Sequence, residues 1–237
     1  MAGNASSARP HQAAILHRRR NVRRLAGSDV FDQPIVMLDF ETTGLSPAAG
    51  DRITEVAALR IVDGVVTERF VTLVNCGARV PYEVTALTGI TQQMIHGAPP
   101  VAKVLPQLLD FIGTDVLAAH NASFDAKFLL AESQRQGLSP QHRGLICSLK
   151  LARRMLPGHS SYRLSGLAHA LNIRYSSAAH RAEADAEVST RLLLYIGERL
   201  RHQYRCRSIA PSLLEAITRQ SAAKVPAFLR RSIDFGG

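Results

Sequence analysis

No apolar run in this chain of 237 residues approaches the roughly 20 residues needed to cross a bilayer. The longest, such as Val116–Ala119 and Leu192–Ile196, fall far short, which excludes a helical membrane span. A basic n-region, apolar h-region and small-residue cleavage site are also missing, so secretion is not expected. Cysteine is scarce: Cys76, Cys147 and Cys206 are odd in number, widely spaced and outside any zinc-binding pattern. They suit a reducing compartment better than a disulfide framework. Internal repeats and low-complexity tracts are absent as well. What is present is a hydrophobic fraction of 46%, too high for a wholly disordered chain. The length suits one compact domain with appendages, or two small ones.

The formal charge of +10 is unevenly placed. Residues 1–24 carry six arginines and no acid, and residues 199–237 carry eight Lys/Arg against two acids, so each flank is +6. Residues 25–198 are left at −2. The first thirty residues, rich in Ala, Ser, Gly and Arg and without an apolar period, read as a flexible basic arm (1–30). Arg18–Arg20 with Arg23 and Arg24 could hold phosphates through counterion release. The competing readings are a solvated tail and an Arg-rich mitochondrial transit peptide.

Regular structure is predicted from Pro34. Ile35–Phe40 is a short apolar run, the pattern of a strand buried on both faces. Ile53–Val62 and Val65–Asn75 flank Asp63-Gly64, a strong hairpin signal. Pro81 to Ile95 reads as short helices and turns, and Val101–Ile112 has helical spacing. Val116–Ala119 is a second buried strand, followed by a helix from about Ser123 to Gln136, and Leu145–Cys147 is a candidate fifth strand. Helical segments follow at Ser148–Leu156, Arg163–Leu171 and Arg181–Leu200. The order implies an α/β domain with one mixed sheet flanked by helices over 31–200. A basic, partly helical tail would then occupy 201–237.

Carboxylates mark the candidate site. Asp39 and Glu41, two apart on the first strand, leave the sheet on one side. Such a pair repels itself unless a divalent cation turns it into ligands, and hard oxygens favour Mg²⁺ or Mn²⁺. Gly44 would let the chain turn and a substrate approach. Asp125 follows the second buried strand, where carboxyl-end loops of parallel strands converge, and should face that pair. Its alternative is a first-turn acid favoured by the helix dipole, with Asn121 or Ser123 as N-cap. In His180-Arg-Ala-Glu-Ala-Asp185, Glu183, Glu187 and Arg191 recur at i, i+4 and i+8, an exposed charge-paired face. Asp185 instead shares a face with Val188 and Leu192, where an unpaired acid is costly. It is therefore the expected ligand. His180, about 140° away around an ideal helix, is expected in the preceding loop, reaching over the site.

Asp-Phe-Glu-Thr-Thr-Gly, His-Asn-Ala-Ser-Phe-Asp and His-x4-Asp, in that order, resemble the three motifs of DEDDh-type 3′→5′ exonucleases. The nearest likeness is to the epsilon-like (DnaQ-like) proofreading group of bacterial DNA polymerase III, and Thr85-Ala-Leu-Thr-Gly-Ile-Thr91 matches that group's layout. The resemblance covers about residues 34–200. It implies a ribonuclease H-like fold with a five-stranded mixed sheet, and two Mg²⁺ (or Mn²⁺) ions held by Asp39, Glu41, Asp185 and, partly through water, Asp125. Two metals about 4 Å apart stabilise the attacking and leaving oxygens of a phosphodiester, and His180 would take the proton of the attacking water. Thr42, Thr43, Leu45, His120, Asn121 and Phe124 would line the pocket for the terminal nucleotide.

The implied substrate is a single-stranded or frayed DNA 3′ end, cut to nucleoside 5′-monophosphates in the cytoplasm of a bacterium. A polymerase catalytic subunit is a candidate partner through the tail, where Leu213, Leu214 and Ile217 form an apolar stripe. The same stripe could pack on the chain itself. An RNA-trimming enzyme of the same superfamily and a non-catalytic polymerase-associated module are the alternatives.

Overall fold

The computed structural model describes residues 30–205 and 207–234. Apart from Val30, the basic arm assigned to 1–30 lies outside the described residues, as does Cys206. Five strands form one mixed sheet in the order β3-β2-β1-β4-β5. They are β1 (Ile35–Thr42), β2 (Ile53–Val62), β3 (Val65–Leu73), β4 (Val116–Ala119) and β5 (Leu145–Cys147). β1, β2 and β3 form an antiparallel meander, whereas β4 runs parallel to both β1 and β5. The β2–β3 turn has both Asp63 and Gly64 at positive φ, 52° and 73°, the left-handed pair that matches the twist of a tight hairpin.

Alternation along the strands sends side chains to two separate cores. Val36, Leu38 and Phe40 on β1 join Val56, Ala58 and Phe70 on one face. Covering that face are α1 (Tyr82–Thr88), α2 (Gln92–His96), α3 (Val101–Ile112) and α4 (Ser123–Arg135). Ile35, Met37, Ala57, Leu59 and Ile61 point the other way. There they meet α5 (Ser148–Met155), α6 (Leu164–Ala170), α7 (Ala182–Tyr204), α8 (Pro211–Arg219) and α9 (Val225–Asp234). At about 1.5–3 kcal/mol for each fully buried large aliphatic side chain, these two cores dominate the favourable side of folding. Asp39 and Glu41 continue the face of Ile35 and Met37, so β1 aims them at the α7 side.

α7 runs on past residue 200, to Tyr204. Of the two readings of the tail stripe, packing on the chain itself is the one observed: Leu214 and Ile217 are fully buried and Leu213 packs against the same core. An amphipathic helix adjoining an uncovered sheet edge gains most by closing on it, and α8 lies against β5 and α5.

Val30 and Phe31 lie across α7 at Gly197, with Phe31 bridging in parallel to Ile209. A Cβ at Gly197 would sit 2.5 Å from Val30 Cγ1 and 2.9 Å from Phe31 Cε1. Gly197→Ala is therefore expected to destabilise the fold by about 1–3 kcal/mol. It should do so despite the roughly 1 kcal/mol that alanine gains over glycine in a helix. Urea unfolding measures this, and an unchanged or raised midpoint would contradict this packing.

Candidate active site

β1 outruns β4. Only Ile35–Met37 pair with Val116–Ala118, so the backbone of β1 beyond Met37 has no strand on that side. The Asp125 carboxylate fills the gap, with Oδ1 accepting the Phe40 N–H at 3.2 Å. Asp125 belongs to α4, on the opposite face from Asp39 and Glu41, and reaches them only around this strand end. Neither expected cap residue closes α4: Ala122 holds the N-cap position without a side-chain bond. Asn121 instead takes φ 64°, and its carbonyl accepts the Phe124 N–H at 2.8 Å, turning the chain out of β4.

From the other face, α7 brings Asp185. Carboxylate oxygens of Asp39, Glu41 and Asp185 lie within 4.8 Å of one another. Asp125 adjoins this trio without being one of the three. His180 stands outside α7 in the left-handed region at φ 61°, exposed, and lines a cleft together with Asp185. Its proximity moderates the rise of the Asp185 carboxylate. A non-glycine residue held in this region costs of the order of 1 kcal/mol or more and persists only where its surroundings enforce it.

Sequence reasoning missed the enforcing pair. Glu55 on β2 lies opposite Glu41 in register and is only 3% exposed. Arg181 Nε and Nη2 grip its two oxygens at 3.0 and 2.5 Å, and the Ala182 N–H donates to it at 3.0 Å. This clamp fixes the first turn of α7 to the sheet and neutralises a fifth acid beside the site. It was findable: hairpin register puts Glu55 on the same side as Ala57, Leu59 and Ile61, an acid on an apolar stripe just as Asp185 is. Tyr175, which lines the cleft with Asp185 and moderates its rise, had no such signal. The Glu183/Glu187 face expected to be exposed instead joins Arg69 of β3, at 2.9 and 2.6 Å.

Burial and mutual repulsion raise the acids. Asp39 is pushed well above the usual carboxylate range by desolvation, then by Asp125, Asp185, Glu41 and Glu55. Desolvation and Asp185 lift Glu41 to about 8. Asp125 reaches about 8 through desolvation, against the pull of the Phe40 N–H. Asp185 is raised by burial, less so because His180 and Tyr175 oppose it. Asp185 Oδ1 is moreover buried with no hydrogen-bond partner. Clustered, acceptor-only oxygens with an orphan among them fit a hard divalent cation.

The six residues expected at a terminal-nucleotide pocket separate into groups. Thr42 Oγ1 donates to the Gly44 carbonyl at 2.6 Å, and Thr43 Oγ1 donates to Asp51 at 3.2 Å, so both hydroxyls shape the β1–β2 loop. In that loop Gly44 is required by Asp51, whose carboxylate would meet a Cβ at 2.5 Å. Leu45, at the loop tip, is 77% exposed, with its carbonyl held by Lys127 Nζ at 2.5 Å. Phe124 packs at a tilt against Phe128 under the same lysine. His120 and Asn121 face the cleft with His180. Burial pushes His120 down to about 4, and its ring joins the Ser148 hydroxyl at 2.9 Å and the Tyr162 carbonyl at 3.2 Å. It is a neutral strut in the cleft wall.

Residues 36–193 match the RNase_T family, described as exonuclease. The chain is 32% identical over 176 residues to DNA polymerase III subunit epsilon of Aquifex aeolicus, covering 74% of this chain and 86% of that protein. It is 35% identical over 169 residues to the 3′-5′ exonuclease DinG of Bacillus subtilis, covering 71% of this chain and 18% of that protein. It also matches PolC-type DNA polymerase III of Clostridium perfringens at 34% identity over 173 residues, 73% of this chain but 12% of that protein. The chain thus spans under a fifth of the last two. Exonuclease X in complex with 5′ overhanging duplex DNA superposes with a TM-score of 0.57 at 28% identity, covering 70% of this chain and 92% of that one. Exonuclease I of E. coli with a dT13 oligonucleotide shares the fold, with a TM-score of 0.64 at 20% identity, covering 73% and 43%. The fold is ribonuclease H-like.

Arg181→Met would leave Glu55 buried and unpaired. We expect a loss of about 1–3 kcal/mol, below the 3–5 of a fully buried pair because Arg181 is partly solvated. Activity should fall by up to about 100-fold as α7 shifts. Chemical denaturation and turnover, measured together, check this. The raised acids also set a pH dependence. An acid with a raised folded pKa holds its proton more tightly when folded, so ionising it costs stability as pH rises. In EDTA, Tm should fall from pH 5 towards pH 8, the range over which Glu41 and Asp125, raised to about 8, progressively ionise. Mn²⁺ should offset the fall. A Tm that rises over that range in EDTA would contradict the assigned shifts.

Proposed function

The chain belongs to the RNase_T exonuclease family, and we propose from that premise that it removes nucleotides from DNA 3′ ends. The reaction is hydrolysis in the 3′→5′ direction, releasing nucleoside 5′-monophosphates. One observation carries the reading: Asp39, Glu41 and Asp185 present oxygens within 4.8 Å of one another, beside an exposed His180 on an open cleft of about 780 Å³. That volume lies within the usual range of ligand sites.

Asp39, Glu41 and Asp185 would hold two Mg²⁺ or Mn²⁺ ions, with Asp125, already engaged by the Phe40 N–H, acting through a water. When bound, such ions stabilise both the attacking and the leaving oxygen of a phosphodiester. His180, the exposed imidazole at the cleft, accepts the proton of the attacking water. The clamp of Glu55 on Arg181 keeps that imidazole and Asp185 in fixed relation, because both flank the pinned first turn of α7. Leu45 and Phe124 supply apolar contact to the terminal base, which suits a substrate of any sequence. DNA is favoured over RNA by the DNA polymerase relatives named above. They also make a polymerase catalytic subunit in a bacterial cytoplasm a candidate partner. Contact would use a surface other than the Leu214/Ile217 stripe.

Single-stranded DNA, duplex DNA with a mismatched 3′ end, and RNA, each carrying a 5′ label, test this with Mg²⁺ and with EDTA. Stepwise shortening from the 3′ end of DNA, abolished by EDTA and by Asp185→Asn, is expected. His180→Ala should slow the reaction and flatten its pH–rate profile near neutrality. Cleavage that survives EDTA, or RNA degraded far faster than DNA, overturns the assignment.

A further inference from the structure

Several arginines on the folded domain are neutralised by acids. Arg52 grips Glu132, Arg60 pairs with Asp115 and Glu68, and Arg69 with Glu183 and Glu187. Arg181 holds Glu55, and Arg135 joins Glu132. Two others differ. Arg153 and Arg163 line the same cleft as His180 and Asp185, and among the described residues they are its only Lys or Arg. Both are exposed, and neither forms an ion pair with any described residue.

Their mounting is rigid. Arg153 is on α5, four residues after Leu149, and that helical face looks into the cleft. Arg163 occupies the N-cap position of α6. His120 ties the two supports together through the Ser148 hydroxyl at the start of α5 and the Tyr162 carbonyl next to Arg163. Arg153 lies close enough to help push His120 down. The ring therefore stays neutral and leaves the two guanidinium groups as the fixed positive charge of this wall.

We propose that Arg153 and Arg163 form a subsite for backbone phosphates of the substrate strand, upstream of the scissile bond. This rests on the exonuclease reading. Metal ions at Asp39, Glu41 and Asp185 would neutralise one phosphate, but a polynucleotide carries one on every residue, each repelled by the clustered carboxylates. A separate cationic wall offsets that repulsion. Unpaired guanidinium groups suit the task because their planar donors bind phosphate oxygens in pairs. The strand then leaves the carboxylates along α5 and the start of α6, and the subsite discriminates by chain length rather than by base.

Two substrates separate this role from a structural one: a dT12 oligonucleotide and the p-nitrophenyl ester of thymidine 5′-monophosphate, which has no upstream phosphate. For the full chain carrying Arg153→Ala and Arg163→Ala, KM for dT12 should rise about tenfold or more, with kcat little changed. Hydrolysis of the ester should match wild type. In EDTA, anisotropy of fluorescein-labelled dT12 should show weaker binding. Its salt slope should be shallower by roughly 0.7 for each lost phosphate contact. Arg153→Lys with Arg163→Lys should recover part of the affinity. An unchanged KM and slope, or equal losses on both substrates, overturn the subsite. Wild type that cleaves neither substrate defeats the exonuclease reading instead, while the anisotropy comparison still decides whether these arginines bind the strand.

Discussion

Repulsion among carboxylates is the constraint around which the domain is arranged. Asp39, Glu41, Asp125 and Asp185 come from three elements on two faces of the sheet, and each is raised by burial. Such a centre persists only where packing elsewhere holds the elements in place. The two hydrophobic cores, one on each side of β1, supply that hold. Asp125 is restrained by a specific donor as well, the Phe40 N–H, and His180 and Tyr175 moderate the rise of Asp185. The partial satisfaction that remains, including the orphaned Asp185 Oδ1, is the condition in which a divalent cation gains most from binding.

Glu55 and Arg181 show how the same repulsion is managed where no cation is wanted. Glu55 faces the same side as Glu41 and would be a fifth free acid by position. Bidentate pairing with Arg181 neutralises it and makes it a fastener for α7. One ion pair thereby separates the acids that repel from the acid that positions. The cleft extends the division: paired arginines stabilise the fold, and the unpaired Arg153 and Arg163 face the space where a strand would lie.

Much of this was legible from local pattern. The Asp63-Gly64 hairpin, the short apolar runs of β1 and β4 and the spacing of α3 are governed by neighbours in sequence, and each appeared where its pattern placed it. Asp185 was separable from Glu183 and Glu187 because an acid on an apolar stripe is costly. The same test, applied to strand register, would have found Glu55. Other features depend on loop geometry that spacing does not show. Asn121 turns the chain rather than capping α4, and Gly44 is dictated by the approach of Asp51.

The sequence by itself determined the identity of the acids, the strand and helix order, and the family they mark, because side-chain type and spacing are local properties. Only the tertiary structure decided how those acids are shared. Asp125 is drawn to the Phe40 N–H because β4 is shorter than β1, a relation between two strands some eighty residues apart. His120 became a neutral strut because burial in the cleft wall disfavours its charge while Ser148 and Tyr162 hold the ring. The tail stripe of Leu214 and Ile217 folded onto β5 and α5 because that edge of the sheet lay open to it. Burial and partners are set by what the rest of the chain leaves uncovered, and no local spacing encodes that.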